Sequence, residues 1–193
     1  MADQTFTSGQ ILTAAQQSAL QTNIGLAQIT PTSVTNATLS GGVATIGAAV
    51  NIVTISGCFS ATFTNYRIVV SGTLISADGL QLQFKLNNST GSTYATVGTN
   101  MDYTSATVYP IGGAATTLIR VGETSTTMNG TIVDVFQPFL ATATFTNACW
   151  NGSAHVGWYN GRDTNAASQT GFTLSLNAAG TFTGGTITVY GYR

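Results

Sequence analysis

Between Leu80 and Leu86 the chain alternates strictly, with Leu80, Leu82, Phe84 and Leu86 on one side and Gln81, Gln83 and Lys85 on the other. A period of two is what a pleated strand with one buried face requires. Residues 172–176 and 187–191 repeat the scheme. Runs 66–75 and 130–136 are apolar enough to predict strands lying centrally between layers. Segments 45–49, 52–56, 116–121, 142–149 and 154–159 complete the set. Gly, Asn and Ser punctuate these runs at intervals of about 8–12 residues, the rhythm of a sandwich or barrel. The expected fold is therefore all-β, an antiparallel β-sandwich of jelly-roll type. Turns are expected at 77–79, 87–91 and 177–180, each read as closing a hairpin. The stretch 92–115 is less regular and reads as a long connection.

The N-terminus follows a different pattern. Thr13-Ala14-Ala15-Gln16 has the form of a capping box, in which the Thr hydroxyl and the Gln amide satisfy each other's backbone donors. A short helix over 14–22 is expected, with Ile11, Leu12, Leu20 and Ile24 as its apolar docking residues. A helix of under about 12 residues is marginal in water, so it needs a surface to dock on. Residues 25–45, with Pro31 and the Ser40-Gly41-Gly42 turn, read as an extended arm. The chain accordingly divides into 1–45, for attachment or assembly, and a body over 46–193.

Composition sharpens this picture. Charged residues make up 6% of the 193-residue chain and hydrophobic ones 43%, against about 25% charged in ordinary domains. Thr alone accounts for 35 positions, and its branched Cβ favours strands. A net charge of −1 with five scattered cations offers no basic footprint for nucleic acid and nothing to draw the chain to an anionic membrane. Apolar runs fall far short of the about 20 residues that a transmembrane helix needs. The opening residues lack the form of a signal peptide, so synthesis in a reducing cytosol is expected, with Cys58 and Cys149 as buried free thiols. Sparse charge also leaves little repulsion between copies, so self-association is expected.

Catalytic constellations are not evident. His155 is the single histidine, which excludes a metal site built from several. Ser153, His155 and Asp163 could be written as a triad, but no nucleophile elbow accompanies them. The six carboxylates are scattered, and the Gly-rich pieces lack a phosphate-binding lysine. No enzyme activity, cofactor or metal is expected. Recognition composition is concentrated instead at Trp158, Tyr159, Asn160, Arg162 and Asp163, and at Tyr103 and Tyr109. Aromatics beside a turn and opposite charges suit stacking on a sugar or protein surface. They suit equally the end of a sandwich or a subunit interface, and both readings stand.

Phe6-Thr-Ser-Gly-Gln-Ile-Leu-Thr-Ala-Ala-Gln16, followed by Gln17 and Asn23, resembles the N-terminal segments of phage tail-fibre and other virion appendage proteins. The ending Gly184-Gly-Thr-Ile-Thr-Val-Tyr-Gly-Tyr-Arg193 is similar to the last strand of their jelly-roll heads. Together the two cover under a quarter of the chain. The resemblance implies a non-enzymatic virion protein, assembled in the host cytoplasm, most simply a short tail or head fibre with a receptor-binding head. It further implies a homotrimer, attachment to other virion proteins through the N-terminus, and a host-surface glycan or protein as ligand. A capsid decoration protein that stabilises the shell is the alternative.

Overall fold

A computed structural model describes residues 25–124, 126–127, 129–177 and 180–193, together with 11, 13, 14 and 16. Fifteen strands fall in the described residues: β1 (Ala27–Ile29), β2 (Ser33–Thr35), β3 (Ala37–Ser40), β4 (Val43–Ile46), β5 (Ile52–Ser56), β6 (Asn65–Ile75), β7 (Gln81–Leu86), β8 (Tyr94–Asp102), β9 (Val108–Thr116), β10 (Ile119–Glu123), β11 (Asn129–Phe136), β12 (Thr144–Asn151), β13 (His155–Asp163), β14 (Phe172–Leu176) and β15 (Phe182–Tyr192). All pair antiparallel. The larger sheet runs β3-β4-β15-β6-β11-β12-β13-β8-β9, with β1 also on β15; the smaller runs β10-β7-β14-β5-β2.

Alternation in the sequence builds the layer between the sheets. Tyr66, Ile68, Val70, Val133, Val135, Ile187 and Val189 of the larger sheet are buried with Val53, Ile55, Phe84, Leu86, Phe172 and Leu174 of the smaller. Phe172 lies between Phe84, at 5.3 Å between ring centres, and Phe59, at 5.9 Å. Offset stacking of this kind adds about 0.5–1.5 kcal/mol per pair beyond the area buried. The other half of the interior, under β12, β13 and β8, is more polar: Thr144, Thr146 and Asn100 are buried there beside Trp150 and Tyr159.

Several expectations need correction. The turns at 77–79, 87–91 and 177–180 do not close hairpins, because each joins a strand of one sheet to a strand of the other. Turn chemistry fixes where a chain reverses, not which layer receives it. The expected arm carries β1, β2, β3 and most of β4, which join both sheets. Its Gly41 and Gly42, at φ of 56° and 80°, close the β3–β4 hairpin in the left-handed conformation glycine tolerates. The irregular stretch 92–115 is mostly two paired strands, β8 and β9. Of the helix expected over 14–22, only Ala14 and Gln16 are described, both of them helical, and the rest lies outside the described residues. Its capping contacts are present: Thr13 N–H donates to Gln16 Oε1 at 3.0 Å, and Gln16 N–H to Thr13 Oγ1 at 3.3 Å.

Candidate functional site

The period of two divides the 158–163 cluster between two faces. On β13, Trp158, Asn160 and Arg162 point outward from the larger sheet, while Tyr159 and Asp163, 1% and 0% exposed, point into the core. Tyr159 and Asp163 are therefore core groups and do not reach a surface ligand. The Tyr159 hydroxyl donates to Asn100 Oδ1, its ring stacks on Trp150 at 6.2 Å and 4°, and the Arg120 guanidinium lies 5.3 Å over it. Burial pushes the phenol's pKa upward. Asp163 accepts a hydrogen bond from Asn165 N–H at 3.0 Å.

Outside, registers align three rows of side chains across the sheet. Val69, Ile132, Cys149, Trp158 and Thr99 form one row; Arg67, Asp134, Asn147, Asn160 and Val97 form the next; Asn65, Phe136, Phe145, Arg162 and Ala95 form the third. Arg67 grips Asp134 in a bidentate pair, both contacts 2.8 Å, and the carboxylate raises the guanidinium's pKa. This pair, with Asn147, Asn160 and Trp158, lines an open depression of about 360 Å³. Trp158, Phe145, Val97 and Ile132 are all exposed. The face thus sets four large exposed apolar side chains, on β8, β11, β12 and β13, among polar ones, where an antiparallel sheet facing water normally turns polar throughout. Cys149, expected as buried, lies exposed in the middle of it, because β12 places its odd-numbered residues outward. Cys58 is buried, which pushes its thiol up to about 12.

Tyr103 and Tyr109 belong to a different place, the end of the sandwich where the β8–β9 turn, the β12–β13 turn and the segment around Asp78 meet. Tyr103 N–H donates to Ala154 O at 3.0 Å, and the Tyr109 ring meets His155 edge-on at 6.4 Å. Both tyrosines are exposed. Beside them a cleft of about 260 Å³ is lined by Asp78, Glu123, Trp150 and the 152–155 turn. Glu123 crosses between the sheets: its Oε2 accepts from Asn100 Nδ2 at 2.7 Å and from Arg120 at 3.1 Å. His155 sits between two carboxylates, Asp102 at 3.6 Å and Glu123 at 4.0 Å. Hydrogen bonds from Thr104, first through its hydroxyl, and from the Ser105 backbone hold Asp102 down at about 2.

Asp163 lies at the far end of β13 from His155, so those two side chains do not meet. Among the described residues no group of three or more His, Cys, Asp or Glu side chains is placed to hold a metal ion. Of the expected attachment residues, Ile11 is 90% exposed, while Leu12, Leu20 and Ile24 lie outside the described residues. Arg67, Asp134, Asn147 and Glu123 carry no mark in the sequence that sets them apart as site residues. Period-two alternation marks which of them face outward, but their meeting depends on strand order, which no local pattern carries.

No family model matches the chain, and no curated protein matches it. Among solved structures the chain is similar to a basic winged bean lectin described with Tn-antigen, at 8% identity over 85% of this chain and 96% of that chain, with a TM-score of 0.26. An overlap that loose assigns neither strand order nor ligand.

Proposed function

We propose that the protein is a non-enzymatic structural subunit of a virus particle, a short tail or head fibre whose β body is a receptor-binding head. The observation that carries the reading is the turn-bearing end of the sandwich, where Tyr103 and Tyr109 stand exposed beside a polar cleft. Rigid aromatics give large contact area at low entropic cost, and the two sheets hold them in place. The N-terminal resemblance to virion appendage segments supports the same reading. Of the expected jelly-roll winding, the proposal keeps only the antiparallel two-sheet body. A host-surface glycan or protein is the proposed ligand, and attachment to the particle is assigned to the residues before β1.

The double variant Tyr103→Ala/Tyr109→Ala tests this. Both side chains are exposed, so the melting temperature should stay within about 2 °C of the parent. Adsorption to host cells should fall at least ten-fold. Adsorption that merely tracks the folded fraction would contradict a receptor-binding end. One observation favours the second reading, a capsid decoration protein: the broad apolar outer face of the larger sheet suits burial against a shell.

A further inference from the structure

The outer face of the larger sheet has a symmetry that its register makes visible. β12 has β13, β8 and β9 on one side and β11, β6 and β15, followed by β4 and β3, on the other, so three strands on each side can overlap about it. Within one row Ile132 and Trp158 flank Cys149; in the next, Asp134 and Asn160 flank Asn147; in the third, Phe136 and Arg162 flank Phe145. A two-fold axis lying in the plane of contact along β12 would carry β11 of one copy over β13 of the other. Each flanking pair is then a matched pair: Ile132 on Trp158 is apolar on aromatic, Asp134 on Asn160 is acceptor on amide donor, and Phe136 on Arg162 is ring under cation. Self-complementarity of residue i to j and j to i is what an isologous interface demands.

Area and charge agree with this occupant. Seven strands at about 4.8 Å by seven residues at about 3.4 Å make a face of on the order of 800 Å². A stable pair of proteins buries about 800 Å² per partner. The face carries one internally neutralised pair, Arg67 with Asp134, and one further cation, Arg162, which the axis sets over Phe136 and not over its own copy, so two copies meet without a stack of like charges. Trp158, Phe145, Val97 and Ile132, exposed in the single chain, would be covered.

We infer that two copies of this chain pair face to face through the outer surface of the larger sheet, on a two-fold axis along β12. The inference is independent of the receptor-binding end, which lies outside this face, and it puts a two-fold pair in place of the homotrimer that the N-terminal resemblance implies. Sheets packed face to face are about 10 Å apart, and the axis sets Cys149 of one copy opposite Cys149 of the other. That spacing is too long for a disulfide and within reach of a short bismaleimide.

Sedimentation of the native chain at micromolar concentration, with and without bismaleimide, tests the pairing. The expected result is a dimeric mass and a covalent dimer formed through Cys149, since Cys58 is buried. Cys149→Ser should lose the covalent link and keep the dimer. Trp158→Glu, and separately Ile132→Glu, should raise the dimer dissociation constant at least ten-fold while the melting temperature of the single chain holds. A monomeric mass, a trimeric mass, or a dimer that bismaleimide cannot link through Cys149 would each overturn the inference.

Discussion

The two faces of β12 and β13 come from one alternating sequence and meet different fates. Inward, Thr146, Ala148, Trp150 and Tyr159 are buried against the smaller sheet; outward, Phe145, Cys149 and Trp158 remain exposed. In a half-buried sheet the outward set would be polar, and here Phe145, Cys149 and Trp158 stand among Asn147, Asn151, Asn160 and Arg162. Burial in the single chain therefore explains only one face. The other carries apolar side chains that the fold does not use, and unused apolar area on a sheet marks contact with something else.

Substitutions on the two faces should separate this cleanly, and Tyr159→Ala is the strongest. It empties the site between Trp150 and Arg120 and strands Asn100 Oδ1, so a loss of about 3–5 kcal/mol is expected from denaturant unfolding. Gly161→Ala, on the same inner face, places a Cβ 2.5 Å from Ile119 Cγ2 and 2.6 Å from Thr146 Oγ1. Overpacking there should cost about 1–3 kcal/mol in the same measurement. Outward, Asp134→Ala removes a carboxylate that sits over partly exposed Arg67, and a cost of about 0.5–1 kcal/mol is expected. Trp158→Ala should change single-chain stability by about 0.5 kcal/mol or less. A Trp158→Ala loss equal to that of Tyr159→Ala would erase the difference between the faces.

A smaller effect belongs to the turn-bearing end. Asp102 is held at about 2 against an ordinary 3.8 by Thr104 and Ser105. Because its folded value is depressed, the carboxylate's contribution to the turn is complete above the ordinary value. It is lost as pH falls through the folded one. Protection of the Thr104 and Ser105 amides, relative to their free-peptide exchange rates at each pH, should fall between about pH 4 and pH 2 in the parent and be low throughout in Asp102→Ala; identical protection profiles would deny the carboxylate this role.

What the sequence shows of this fold is what alternation shows. Residues 52–56 and 172–176 are strands as expected, because every second residue there is apolar and buried. β8 was hidden because its inward positions include Thr96, Gly98 and Asn100, which read as polar and breaking, although they are what lets Tyr159 pack closely. β9 was hidden by Pro110, Gly112 and Gly113. Trp158 to Asp163 reads as one site along the chain, but adjacency in sequence is not adjacency in space. On a strand, neighbours face apart. The outer rows and the Glu123 network needed the order of strands, and the three turns that cross between layers carry no mark distinguishing them from hairpins.

Residues before β1 offer a sharper version of the division between folding and contact. Deleting 1–24 should leave the melting temperature within about 2 °C, since the strands of the described residues all begin at Ala27 or later, and should abolish incorporation into particles. Extending the deletion through Ile46 takes away β1 to β4 and should prevent folding. The most direct test of the central claim, that this chain serves a virus particle by contact, is electron microscopy of purified particles labelled with gold-tagged antibody to the body. The account predicts gold on the outer surface of the particles, at short appendages. Particles that carry no label, from a lysate in which the chain is abundant and free, would contradict it.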